Sequence, residues 1–286
     1  MHHPELSIEY PRQWLIRRLS AVALLAWAAL VTPQAHAGRT CAAPQPPKTQ
    51  TVERALALAE RTMKALDSSG AQVVVLARAG QDLSKYGLRY SHLGLAYRKS
   101  DGKGGQVWRV LHELNQCGTA ESAIYRQGLG EFFLDDLWRY EAAWVVPTPE
   151  VQAKLLALLQ DEPRAVQLHH KPYSVVSYAW GQKYQQSNQW ALETLALAIA
   201  PELTVDRATR ARAQAWLQLK AYQPSTLIIG PITRLGARVS TANVAFDDHP
   251  NEQRFSDRIE TVTVDSVFAW MLRENLGGAP ATLSVP

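Results

Sequence analysis

Apolar positions along this chain follow two periods, and the switch between them outlines the elements. Val52, Leu56, Ala59, Met63 and Leu66 recur at helical spacing, and Ser68-Ser69-Gly70 closes the run, which predicts a helix over Thr51–Leu66. Gln72–Arg78 (QVVVLAR) is a short β-branched run and predicts a buried strand. Tyr90–Arg98 (YSHLGLAYR) and Gln106–Leu114 (QVWRVLHEL) predict two more, joined by the polar, glycine-rich segment Ser100–Gly105 as a hairpin. Tyr140–Val146 predicts a further strand, stopped by Pro147. Helical patterns follow at Val151–Leu159, Asn188–Ile199, Arg207–Tyr222 and Val264–Leu272. The strongest is Asn188–Ile199, with Ser187 or Asn188 as its cap, Trp190, Leu192, Leu195 and Ile199 on its apolar face, and Pro201 after it. A helix, then a mostly antiparallel sheet, then helices predict an α+β fold in one domain over 51–286.

The first residues have a different pattern. Arg17 and Arg18 precede the apolar run Leu19–Val31, and Ala35-His36-Ala37 offers the small-x-small site of a signal peptidase. The run is shorter than the roughly 20 apolar residues that cross about 30 Å of hydrocarbon. Residues 1–37 are therefore expected to be a cleaved signal peptide, and 38–50 a proline-rich tether containing AAPQPPK. The expected location is periplasmic or secreted, with no membrane span after signal cleavage.

Composition narrows the classes of function. Hydrophobic residues make up 47% of the chain and there are nine tryptophans, enough for a well-filled core. The formal net charge is +4 with no clustered basic stripe, so nucleic acid is not an expected partner. Cys41 and Cys117 both follow the signal, and an even pair in an oxidising compartment favours a disulfide between them. The alternative is Cys117 as a nucleophile.

Candidate chemistry centres on His92, which shares a strand face with Tyr90 and Gly94. His112 and Glu113 close the next strand, and either can orient His92 through its second ring nitrogen. Downstream, Tyr173, Tyr178 and Tyr184 lead to Ser187-Asn188-Gln189-Trp190 at a helix N-terminus. Free backbone N–H groups there can stabilise an oxyanion or lower a thiol pKa. Ser187 is either a helix cap or a nucleophile activated by histidine. His169-His170 reads as a solvated pair. Asp247–Glu252 (DDHPNE) reads as a turn with capping and salt-bridging roles, since it lacks spaced metal ligands. Arg254 and Arg258 can bind an anion or pair with Asp257 and Glu260. No metal and no cofactor is expected.

The strand "SHLGLA", the following strand with a polar end, and a tyrosine-rich segment leading to S-N-Q-W at a helix start resemble the permuted papain-like hydrolases of the NlpC superfamily. More closely, the chain resembles a bacterial family catalogued as domain of unknown function 2145, over most of the chain after the signal. The first resemblance implies a papain-like antiparallel sheet packed with helices. It casts His92 as general base and His112 or Glu113 as its orienting group. It also implies a cleft near Tyr184, Asn188, Gln189 and Trp190 for amide or peptide bonds, with a cell-wall peptide or an envelope protein as partner. The nucleophile does not carry over, because Gln189 (or Asn188) stands where the family's helix-opening cysteine belongs. A degenerate hydrolase and a non-enzymatic binding or assembly protein are the two expected functions.

Overall fold

The computed structural model describes residues 46–286. Residues 1–45, on which the expected signal peptide, most of the expected tether and Cys41 fall, lie outside them. In chain order the elements are α1 (Thr49–Ser68), β1 (Val73–Ala79), β2 (His92–Ser100), β3 (Gln106–Asn115), β4 (Ser122–Gly128), α2 (Leu129–Phe133), β5 (Arg139–Val145), α3 (Pro149–Gln160) and α4 (Glu162–Ala165). They continue with α5 (Ser187–Ile199), α6 (Arg210–Leu219), β6 (Ser225–Ile228), α7 (Pro231–Ser240), α8 (Asn251–Arg254), β7 (Arg258–Thr261), α9 (Val264–Arg273) and β8 (Ala281–Ser284). The fold class is α+β.

Six strands form one antiparallel sheet in the order β4-β3-β2-β1-β5-β8, and β6 pairs with β7 separately. The sheet is covered on both faces, which is why β1 reads VVVLARA and is buried at every position. Side chains alternate between the two faces. Val73, Val75, Leu93, Leu95 and Leu111 pack with Leu155 of α3, Trp190 and Leu195 of α5, and Trp270 of α9. Val74, Leu76, Ala96 and Val110 pack instead with Leu58 of α1 and with Phe132 and Phe133 of α2. The two apolar cores are thus divided by the sheet.

Gly94 lets the second core close. A Cβ there would collide with Val110 Cγ1 and come within 3.1 Å of the Phe132 ring and 3.5 Å of His112 Cβ. Only a hydrogen at that position allows Phe132 to lie across β2.

The predicted helices and strands all occur, with shifted ends. One shift matters. Helix α5 begins at Ser187, and its cap is Gln186, whose side chain accepts from the Asn188 backbone N–H at 2.8 Å. Ser187 and Asn188 are therefore not caps; they are helical residues whose side chains are available for other contacts. Helix α5 is also buried nearly all round and not amphipathic, because α3 and α6 flank it while it lies on β2 and β3. Its buried Glu193 is neutralised by Arg210 of α6 at 2.9 Å, with Gln185 and Gln214 completing the carboxylate's partners at 2.6 and 2.7 Å. Arg210 also donates to the carbonyls of Gly181, Gln182 and Tyr184, so this pair fastens the irregular segment before α5 to the helix itself.

Candidate functional site

His92 and His112 do meet. Their strands are neighbours, and both residues occupy the face covered by α1 and α2. His92 Nε2 and His112 Nδ1 lie 2.8 Å apart, and His112 Nε2 lies 2.9 Å from Gln127 Oε1 of β4. Phe132 packs against both rings, edge-on to His112 at 5.2 Å between centroids. Arg78 of β1, opposite His92 in register, holds Asp135 at 2.5 Å and donates to the Phe132 carbonyl.

Burial lowers the pKa of both histidines, and the neighbouring Arg78 cation lowers them further, His112 to about 3 and His92 well below its usual range. Both rings are neutral at pH 7, which fixes the protons. Gln127 Oε1 is an acceptor, so His112 carries its proton on Nε2 and presents a bare Nδ1. His92 must then donate from Nε2, which leaves His92 Nδ1 as an unprotonated acceptor. The chain His92–His112–Gln127 is a directed hydrogen-bond relay. It makes a poor general base, because a base must hold the proton it takes, and Arg78 opposes that charge.

The cleft implied near Asn188 and Gln189 would need His92 to face the start of that helix, and it does not. Asn188 does reach β2: its Oδ1 accepts from the Leu93 N–H at 2.8 Å and its Nδ2 donates to the Ser91 carbonyl at 3.4 Å. Those are main-chain contacts. The imidazole of His92 leaves the strand on the other side, toward Phe132, while α5 packs with Leu93 and Leu95. A one-residue difference in parity separates the two.

Parity also divides His112 from Glu113. Glu113 enters the α5 side, where its Oε1 accepts from Ser122 Oγ at 2.5 Å. Ser122 Oγ is 3.1 Å from His169 Nε2, itself 3.8 Å from Glu113. The other carboxyl oxygen of Glu113 is buried without a hydrogen bond. Burial, with the neighbouring Glu193 charge adding to it, raises the Glu113 pKa to about 8, so the group is largely protonated at neutral pH. Glu113 therefore cannot orient His92.

The remaining candidates serve the interior. Ser187 Oγ lies 3.4 Å from the Tyr173 hydroxyl and is buried. Gln189 accepts from Ser177 Oγ at 2.8 Å and donates to the Tyr178 and Ala179 carbonyls. Trp190 is fully buried core. Tyr184 is half-buried beside Lys183, which pairs with Asp247 at 2.5 Å. Asp248 accepts from the Tyr178 N–H, and His249 donates to the Val176 carbonyl, so the DDH turn braces the segment before α5. Cys117 stands between β3 and β4 and is not a free thiol. Among the described residues, no three His, Cys, Asp or Glu side chains are placed to hold a metal.

Sequence reasoning missed Arg78, Gln127, Asp135 and Ser122, and took His169 for a solvated residue. The arginine within VVVLARA was the visible signal, since a cation in a fully buried strand needs a partner. The fold and these residues define an α+β protein whose candidate catalytic groups lie on opposite faces of its central sheet. The chain belongs to a bacterial family, domain of unknown function 2145, described as an uncharacterized protein conserved in bacteria, whose model matches residues 65–271. No curated protein and no solved structure matches it, and similarity to the NlpC hydrolases is not shown.

Glu113 makes stability depend on pH. Its carboxyl ordinarily titrates near 4.5, so above that pH the unfolded chain releases a proton that the folded chain keeps until about pH 8. The stabilisation is complete below pH 4.5 and declines as pH rises toward 8. The histidines act in the opposite sense, mainly below about their ordinary 6.5. Between pH 6.5 and 8, urea unfolding should therefore show the wild type losing about 1.5 kcal/mol more stability than Glu113→Gln. The same pH dependence in both proteins would mean that Glu113 is already ionised.

Proposed function

We propose that this is an exported envelope protein that binds or assembles and does not hydrolyse. The observation that carries the reading is the division of the candidate groups by the sheet. His92 is in contact with His112 and Phe132, Ser187 with Tyr173, and Glu113 with Ser122, and among the described residues no hydrogen bond joins His92 to Ser187 or Gln189. A nucleophile needs a base within hydrogen-bond reach, and the base needs a group that orients it. Here the base position resists protonation and faces away, and the helix-opening position holds an amide locked into three internal hydrogen bonds. The degenerate-hydrolase reading keeps only the main-chain contact of Asn188 with β2.

The N-terminal pattern supports export, and the cysteine pair supports a Cys41–Cys117 disulfide that fastens the tether beside the β3–β4 turn. Such a link contributes typically ~2–4 kcal/mol. A cell-wall peptide or another envelope protein is the partner class this reading favours.

The purified protein should take no label from a fluorophosphonate or from iodoacetamide, and in Gln189→Cys the rate of alkylation should be the same with and without His92→Ala. Labelling of Ser187 that disappears in His92→Ala would overturn the non-catalytic reading. Intact mass of the protein recovered from the periplasm should begin at Gly38 with both cysteines oxidised. A retained leader or two alkylatable thiols would contradict export or the disulfide.

A further inference from the structure

Strand β4 closes one end of the six-stranded sheet, and its outer edge is only partly used. Ser122 turns its main-chain N–H away from β3 and donates it to the Lys171 carbonyl at 2.8 Å, while the Tyr173 N–H reaches the Ala120 carbonyl at 2.8 Å. Residues 171–173 thus add one antiparallel rung, with Glu121 opposite Pro172. Main-chain direction alternates along a strand, so Ile124, Arg126 and Gly128 face outward as Ser122 does. Gly128 places its N–H on Glu131 Oε2 at 2.9 Å. The main-chain N–H and C=O groups of Ile124 and Arg126 have no partner among the described residues. Every residue of β4 after Ser122 is at least partly exposed.

Open sheet edges are ordinarily guarded by shortness, proline, lysine or a covering element. The opposite edge follows that rule, since β8 has four residues and lies between Pro280 and Pro286. Strand β4 does not. It is seven residues long, contains neither proline nor lysine, and its one cation, Arg126, is turned back onto Glu162 of α4 at 2.5 Å. Nor does the chain before Lys171 continue the rung along β4. It turns on itself there, with the His169 N–H on the Val166 carbonyl and the His170 N–H on Gln185 Oε1.

We infer that the outer edge of β4 from Ala123 to Gln127 is a docking site for a short extended segment of another polypeptide, which continues the rung that Pro172 begins. Two N–H and two C=O groups repeating at the strand period are complementary to a second extended main chain. Lys171 bounds the open stretch at one end and Glu131 at the other, which leaves room for about five residues. A second copy of this chain fits less well. Pairing two β4 strands about Tyr125 would set Gly128 of one opposite Ser122 of the other, where Lys171 already stands. Pairing them about Arg126 would set two arginines directly opposite each other, which is unfavourable. The proposal names a kind of partner for the binding reading and rests on that reading for its role.

The probe is acetyl-Thr-Val-Thr-Val-Thr-amide, a strong strand former, titrated into the protein and followed at the Ile124 and Arg126 amides by NMR. Both signals should shift and saturate with a Kd of about 1 mM or lower. Of two probes N-methylated at alternate residues, one should lose binding and the other keep it, because only every second residue faces the edge. Arg126→Pro removes one outward N–H and no bond to β3. It should bind the probe about fivefold more weakly than Arg126→Ala, with the same circular dichroism. No shift up to about 10 mM probe, or equal binding by both methylated forms, would overturn the proposal. So would Ile124 and Arg126 amides already protected from exchange in dilute protein, which would mean that the chain itself covers the edge. Protection that appears only on concentrating the protein would assign the edge to a second copy and overturn it equally. Fluorophosphonate labelling with the probe shifts intact would overturn the binding reading alone.

Discussion

Two-residue alternation in a sheet covered on both faces is the constraint on which the rest of this molecule depends. When one face is open to water, a strand residue of the wrong parity is merely solvated. When both are covered, each residue commits to one core or the other, with no intermediate position. His112 and Glu113 are adjacent in β3, yet one joins Phe132 and His92 while the other joins Ser122 and His169. The same rule sends Leu93 toward α5 and His92 away from it. Sequence proximity of polar residues in such a sheet is evidence of separation.

Placing polar groups on both sides of a buried sheet requires compensation, and each is compensated differently. Arg78 keeps its charge through Asp135 and the Phe132 carbonyl. Glu193 keeps its partners in Arg210, Gln185 and Gln214, an arrangement whose rupture typically costs ~3–5 kcal/mol because the partner is left charged and buried. The histidines and Glu113 instead become neutral, which is the less costly response to burial without a close counter-charge. For the histidines, resistance to protonation is compatible with relay and packing roles and opposes general-base catalysis, which needs a ring that can take up a proton. The groups that first look catalytic are therefore better understood as an interior polar network that fixes the register of β2, β3 and β4 and the position of α5.

Much of the fold was legible in the sequence because periodicity reports burial directly. The QVVVLAR run, the glycine-rich hairpin and the long α5 pattern became β1, the β2–β3 connection and a central helix. Elements with weak patterns were missed. Strand β4 carries mixed side chains at the sheet edge, and α7 exposes its apolar stripe, so the usual inward reading of such a stripe points the wrong way. Of the site, the pairing of His92 with His112 was readable from neighbouring strands. The facing direction was not, because α5 can lie on either side of a sheet and parity alone does not say which. The cap at Gln186 was likewise hidden, since serine and asparagine are the commoner caps and both stood next to it.

The central claim is that His92 shares a core with His112 and not with Ser187. Double-mutant cycles in urea unfolding measure this most directly. The account predicts a coupling of about 1 kcal/mol between His92→Ala and His112→Ala, and additivity within about 0.5 kcal/mol for His92→Ala with Ser187→Ala. Strong coupling of His92 to Ser187, with none to His112, would contradict it.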